Sequence, residues 1–340
     1  MNTRRWILGA VSALAVGAVP AAAQDQGKFS GLIFGDFYQV FGHSNPAIED
    51  LNGFWVRRVY LTYDRKFAEK FKARVRFEAG SPGDFSTSGV LDPFLKDLYV
   101  AYAGELFEVT LGLQPTPTFG NVEDFHGYRY IEKTPLDLYK MADSRDTGLS
   151  FRGKSAGDGR TQYVVMIGND SGTKSETNKG KAIYLLVGHW FTQNLYVEGT
   201  ADFRDKPAGE EWTTFTGFVG YKQGKVNAGL VYGSQERNDT SSGDVSLDVW
   251  SLYLGIQASE TVKPFFRVDM LSDPVPGASG ISYLAIDPTA TPTLYIIGIE
   301  FKLADGVYIT PNVELVSYRD AAGPEPDDIV IGRLTYYAKF

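Results

Sequence analysis

From Lys70 to Glu78 the chain alternates without a break: Phe71, Ala73, Val75 and Phe77 on one side, Lys72, Arg74, Arg76 and Glu78 on the other. A helix would scatter these residues around its axis, whereas a strand sorts them, because successive side chains point to opposite faces. The same period recurs in segments of about ten residues along the chain, the length of a strand crossing a membrane in a tilted barrel. It predicts strands at 28–41, 53–66, 70–79, 94–103, 106–113, 146–153, 160–169 and 180–191. Eight more are predicted at 194–204, 211–222, 225–235, 245–258, 261–271, 292–303, 306–318 and 328–340. Sixteen is an even number, as bacterial membrane barrels have.

The connections alternate as well. Those after even-numbered segments are short, such as 67–70, 103–106, 223–224 and 303–306. Those after odd-numbered segments are longer: 42–52, 80–92, 114–145, 170–179, 236–244, 272–291 and 319–327, with a modest one near 205–209. Short turns on the inner side and long loops outside are the asymmetry of an outer-membrane barrel. A soluble sandwich has no reason to alternate its loop lengths. The expected fold is therefore an all-β, closed antiparallel transmembrane β-barrel with a long third outer loop at 114–145. The last segment puts Leu334, Tyr336, Ala338 and Phe340 on one face. An aromatic last strand ending in Phe resembles the assembly signal of outer-membrane barrels, and it names Phe340 and Tyr336 as the residues presented to the barrel assembly machinery.

The N-terminus breaks this rhythm. Arg4 and Arg5 precede an apolar run from Trp6, and Ala21-Ala22-Ala23 follows. A basic start, an apolar core and a small-residue cleavage site are the layout of a secretory signal peptide. The core is shorter than the roughly 20 residues of a spanning helix. Residues 1–23 are read as the signal and 24–340 as the barrel, exported to the bacterial outer membrane and in contact with its lipid.

Composition narrows the function. With 33 basic and 41 acidic residues the net charge is −8, which argues against nucleic acid as a partner, since phosphate neutralisation needs a basic surface. Cysteine is absent, and the three histidines, His43, His126 and His189, lie far apart, so no metal site or other cofactor is expected. No nucleophile elbow, zinc-protease motif or P-loop is present.

Two stretches resemble a known family. Gly53-Phe-Trp-Val-Arg-Arg-Val-Tyr-Leu-Thr-Tyr-Asp followed by Phe71-Lys-Ala-Arg-Val-Arg-Phe-Glu is similar to the early hairpin of the phosphate-selective porin O/P family. So is Asp97-Leu-Tyr-Val-Ala-Tyr with Phe107-Glu-Val-Thr-Leu-Gly-Leu-Gln-Pro-Thr-Pro-Thr-Phe-Gly. The likeness is strongest over residues 53–153 and architectural thereafter. It implies a trimeric sixteen-stranded channel for small hydrophilic solutes, with the third outer loop folded into the lumen. The family's phosphate-specific members use an arginine ladder and clustered lysines. Here the ladder is short, loop lysines are few and the chain is acidic, so a general or mildly selective diffusion porin is expected, with any preference for anions or phosphate left open.

Within such a pore, Lys72, Arg74 and Arg76 must face water, because a charge facing lipid at mid-depth costs roughly 2–4 kcal/mol. Arg58, Arg152 and Arg333 share that parity, whereas Arg57 has the opposite one and is expected at the outer rim. Acids on loop 114–145, Asp124 and Asp137 among them, would oppose the ladder across the narrowest point. The competing reading is that these cations merely pair with Asp64, Glu78 or loop acids. Two rival functions also stand. His43 beside Glu49 and Asp50, or His126 beside Glu123 and Asp124, would supply the general base of a barrel hydrolase. A non-conducting adhesin or structural barrel is the other. His189, next to Trp190, reads as a membrane-interface residue.

N-terminal sequencing of the protein purified from outer membranes should begin at or near Gln24. A mature chain that retains Met1 would refute the signal peptide.

Overall fold

The computed structural model describes residues 27–340 except 87–88, 207–208 and 239–242. The signal segment 1–23 lies outside the described residues. The strands are β1 (Lys28–Gly42), β2 (Asn52–Ala68), β3 (Phe71–Ala79), β4 (Phe94–Ala103), β5 (Phe107–Pro115) and β6 (Arg145–Lys154). Next come β7 (Thr161–Gly168), β8 (Ala182–Trp190), β9 (Leu195–Asp205), β10 (Glu211–Gln223) and β11 (Val226–Asn238). The wall is completed by β12 (Val245–Ile256), β13 (Val262–Leu271), β14 (Thr291–Ala304), β15 (Val307–Arg319) and β16 (Ile329–Lys339). Each strand pairs antiparallel with its sequence neighbours, and β1 pairs with β16 to close the barrel. Every predicted strand forms. The largest boundary difference is at β11, which runs three residues beyond the predicted end at 235.

Closure removes the sheet edge, so the N–H and C=O groups along β1 and β16 become ladder partners of one another, as a structure immersed in hydrocarbon requires. At the seam the amides of Gly31 and Phe340 exchange hydrogen bonds of 2.8 and 2.9 Å. The Phe340 ring lies over Gly31 and the Tyr336 ring over Gly35, in the space a side chain on either glycine would need. The terminal aromatics thus cover the weakest stretch of β1, which has no side chain of its own to pack there.

Parity sorts the wall. On β14 the outward Tyr295, Ile297, Ile299, Phe301 and Leu303 are exposed to the lipid side, while Leu294 and Ile296 are buried inside. Near the short-turn rim the outward rings of Phe71, Tyr102, Phe107, Phe151 and Tyr163 follow one another around the barrel at centroid spacings of 5.4–6.1 Å. They form an interfacial aromatic girdle.

Register shifts interrupt the parity at several places along the wall, and two of them change the lumen. On β2, Phe34 pairs with Arg58 but Gly35 pairs with Val56, so Arg57 is the inserted residue. On β4, Arg76 of β3 pairs with Asp97 but Phe77 pairs with Leu95, so Lys96 is inserted. A bulge adds one residue and turns two neighbours toward the same face. Arg57 and Arg58 therefore both point inward, as do Lys96 and Asp97. The outer-rim position expected for Arg57 is wrong: strict alternation fails where the extra residue sits.

The parity of β3 has a direct test. Single cysteines at Lys72, Arg74 and Arg76 should react with a water-soluble thiol reagent in intact outer membranes, and cysteines at Ala73 and Val75 should stay unmodified. The reverse pattern would mean a one-residue slip of β3, which turns every side chain over.

Candidate pore constriction

The connection after β5 carries two short helices, α1 (Gly120–His126) and α2 (Pro135–Leu138), and it lies inside the barrel. α1 ends at Gly127 in the left-handed conformation (φ 76°), and α2 begins on Pro135, whose missing N–H costs nothing at a first turn. Backbone inside a barrel needs partners for its carbonyls, and inward side chains of the wall supply them. Lys222 donates to the Asp124 carbonyl (2.8 Å), Asn227 to Phe125 (2.5 Å) and Thr214 to Met141 (3.1 Å). Arg267 donates to Lys133 (2.5 Å) and Arg57 to Ile131 (2.5 Å).

Rings complete the docking. Tyr128 stacks on Phe265 at 4.1 Å, Phe125 on Tyr196 at 5.6 Å, and Tyr130 packs beside Tyr337 at 5.0 Å. The loop thus leans on β9–β16 and leaves the passage along β2–β7.

A buried charge cluster fixes the loop's midpoint. Arg57 meets Glu132 at 2.7 Å and Asp36 at 3.4 Å; Arg333 meets Glu314 at 2.9 Å and Asp36 at 3.3 Å. All five side chains are at most 4% exposed. Tyr283, from the connection between β13 and β14, lays its ring on Arg57 at 4.2 Å, and its carbonyl accepts from Arg333 at 2.6 Å. This second inward segment also takes His43 on the Leu284 carbonyl, and nothing in the sequence pattern pointed to it. Arg333 was expected to line the pore. It faces inward but is sealed behind these segments, so it holds the loop rather than touching solute.

The passage side is different: inward cations there keep contact with water. Side-chain exposure is 46% for Lys72, 27% for Arg74 and 21% for Arg76. Each also has an acid. Arg74 grips Asp64 through two bonds of 2.7 and 2.9 Å, Arg76 meets Asp97 at 3.2 Å, and Lys72 meets Glu108 at 2.5 Å. Arg58 meets Glu78 at 2.7 Å, Lys96 shares that carboxylate, and Arg145 meets Asp97 at 2.5 Å. Arg152 donates to the Pro115 carbonyl at 3.1 Å, and among the described residues no carboxylate lies within ion-pair distance of it. With Asp146, inward on β6 and bonded by the Tyr184 hydroxyl at 3.0 Å, these seven cations face five acids, so the wall keeps a positive surplus. Lys96 escaped the sequence reading, and Arg145, counted there among the loop charges, stands at the start of β6 instead. The cue was available: two adjacent charged residues inside an otherwise alternating strand, Arg57-Arg58 and Lys96-Asp97, are what a bulge permits.

The loop answers with a balanced set. Arg129 bridges Glu123 and Asp137, each at 3.1 Å, and Lys133 stands 3.8 Å from Asp137. Burial pushes the Asp137 carboxyl upward, but Lys133, Arg129 and the wall cations Arg58 and Lys96 outweigh it and hold it below the usual range, so it is ionised. Asp124 does not face the ladder. Its neighbours are Lys222 and Lys339, and burial raises its carboxyl. The two acids expected to act together are therefore on different sides of the loop.

The histidines have structural partners. His126 is wedged between the rings of Tyr128 and Tyr253, and burial, with Arg267, Lys263 and Arg129 nearby, holds its pKa well below the ordinary value. His43 donates from Nε2 to Leu284 O (3.0 Å) and accepts the Asn45 N–H at Nδ1 (2.9 Å). Neither has the carboxylate partner that orients a general base. His189 bonds Thr161 near the short-turn rim. Among the described residues no group of three or more acids, histidines or cysteines is placed to hold a metal ion.

Comparison with known proteins gives a family. A family model described as Gram-negative porin matches residues 10–324. An anion-selective porin from Comamonas acidovorans superposes with a TM-score of 0.67 at 11% identity, covering 93% of this chain and 99% of that one. OmpT of Vibrio cholerae in its trimer form gives 0.62 at 12% identity over 93% and 99% of the two chains. The outer membrane channel DcaP of Acinetobacter baumannii gives 0.63 at 11% identity over 92% and 97%. No curated protein sequence matches the chain.

Replacing Arg57 by Ala leaves Glu132 buried without its nearest cation, a change that costs roughly 3–5 kcal/mol in such pairs. The loop should detach from β2, and single-channel records should become larger in amplitude and noisier. A quiet trace at wild-type conductance would show that the ring contacts alone hold the loop.

Proposed function

Because the chain belongs to the Gram-negative porin family, we propose that its channel passes anions in preference to cations. Membership makes it an outer-membrane channel for passive diffusion of small hydrophilic solutes, and the resemblance of residues 53–153 to bacterial porins agrees with that. The charge preference rests on the wall of β2–β6, where Arg58, Lys72, Arg74, Arg76, Lys96, Arg145 and Arg152 outnumber Asp64, Glu78, Asp97, Glu108 and Asp146. The loop opposite contributes Glu123 and Asp137 against Arg129 and Lys133, a neutral sum. The surplus is local: the chain as a whole is acidic, but solutes respond to charges within a Debye length, about 8 Å at physiological ionic strength. Fixed charge beside a low-dielectric wall acts with little screening. The name of the Comamonas acidovorans relative, an anion-selective porin, supports the same reading.

Lys72, Arg74, Arg76, Arg58 and Arg152 are the residues proposed to set selectivity, with Asp137 ionised on the facing loop. A barrel hydrolase is disfavoured by the engagement of His43 and His126 in packing and backbone bonds. A plugged structural barrel is disfavoured by the water contact of Lys72, Arg74 and Arg76. We further infer a homotrimer, in line with the trimer form of OmpT. Phe340 and Tyr336 are inferred to act as the assembly signal, since they form the seam they would help to close.

In a KCl gradient across a planar bilayer the wild-type reversal potential should have the sign of chloride preference. Arg74→Ala with Arg76→Ala should move it toward cations, clearly at low salt and weakly near 1 M, where screening shortens to about 3 Å. An unchanged low-salt potential would reduce the ladder to wall solvation.

A further inference from the structure

Beneath the stem of the inserted loop lies a cavity, open at the short-turn rim past Phe107 and Tyr163, whose lumen-side lining mixes two chemistries. On β6, Arg152 faces the lumen; its cross-strand partner on β7 is Val164, whose partner on β8 is Leu186. All three line the cavity, roofed by Pro115 and Pro117 at the start of the loop. Inward positions of a porin are ordinarily polar, so Val164 and Leu186 are out of place in a wall meant only for hydrated ions. Arg152 spends one nitrogen on the Pro115 carbonyl, and neither it nor Lys154 has a carboxylate within ion-pair distance among the described residues. Glu108 also lines the space but is held by Lys72 at 2.5 Å. Glu105 and Asp158 lie at its turn-side rim, where Asp158 bonds Ser155 and Arg160.

We infer that this cavity is a subsite for amphipathic carboxylates: a single carboxylate carried on a small aromatic or branched apolar body. The inference rests on the anion preference proposed above and narrows it to a solute class. Neighbouring strands are spaced about 4.8 Å apart, so the row from Arg152 to Leu186 spans roughly 10 Å, the reach of a carboxylate joined to one ring. The carboxylate meets the free guanidinium nitrogens of Arg152, and the apolar body lies on Val164 and Leu186 beneath the two prolines. A hydrated phosphate would gain the charge contact but nothing from the apolar floor.

Benzoate and acetate separate these contributions, since they share a carboxylate and differ in the ring. Added to wild-type channels carrying chloride current, benzoate should block at about ten-fold lower concentration than acetate, the effect of partly burying a ring. Val164→Thr, nearly isosteric, should raise the half-blocking benzoate concentration by roughly three-fold or more and leave acetate unmoved. Arg152→Gln should weaken both, and Arg152→Lys should restore part of each; heat-modifiable mobility in gels verifies that each variant is folded. Equal potency of the two anions, or no effect of Val164→Thr on benzoate, overturns the subsite. Should the wild type prove cation-selective, the anion preference fails, and calorimetric titration of the detergent-solubilised protein with benzoate, using the same variants, still decides the cavity.

Discussion

Hydrocarbon offers no hydrogen bonds and tolerates almost no charge, and the molecule is organised around that constraint. It forces the wall to close on itself, since an open edge would expose a column of amides to lipid. It also forces charge inward, so the basic and acidic residues, 74 in the full sequence, have few places to go on the strands except the lumen. The proposed selectivity then follows from topology. Once β3 carries Lys72, Arg74 and Arg76 opposite an apolar face, the pore has a basic side before any solute is considered.

The same rule explains how the loop is held. A segment threaded through the barrel brings carbonyls that water can satisfy on the open side only, and on the packed side Lys222, Asn227, Thr214, Arg267 and Arg57 replace it. Rings fill the space between these bonds. The result is an asymmetric lumen, aromatic and sealed along β9–β16, charged and wet along β2–β6. A buried ion cluster is weak evidence for stability in general. Here Arg57, Arg333, Asp36, Glu132 and Glu314 join three separate parts of the chain, and the position of the loop depends on that junction more than on any one pair.

On the passage side, the pairing of nearly every cation with an acid tempers the ladder. An unpaired row of guanidinium groups would hold an anion too tightly for it to leave, whereas conduction needs binding weak enough to escape. Asp64, Asp97 and Glu108 reduce the field to a surplus spread over several strands. The apolar patch at Val164 and Leu186 lies beyond this stretch, on the next strands around the wall.

The sixteen strands, their parity and the alternation of short and long connections were legible in the sequence because each is local: a two-residue period needs only neighbours to express it. Phe340 and Tyr336 were legible as a terminal aromatic face for the same reason, although the glycines they cover on β1 lie some three hundred residues away. What the tertiary structure decided is long-range. The bulges at Arg57 and Lys96 arise from register between strands, so alternation alone placed Arg57 on the wrong face and did not single out Lys96. Arg333 had the right parity and the wrong surroundings, because the segment that buries it, around Tyr283, comes from a connection with no periodic pattern to betray its inward path. Asp124 and Asp137 are thirteen positions apart on one loop yet meet different walls, since only the docking of that loop on Tyr196, Phe265 and Tyr337 fixes which way each carboxylate faces. Period is written residue by residue; the pairing of charges across a lumen exists only once the barrel has closed.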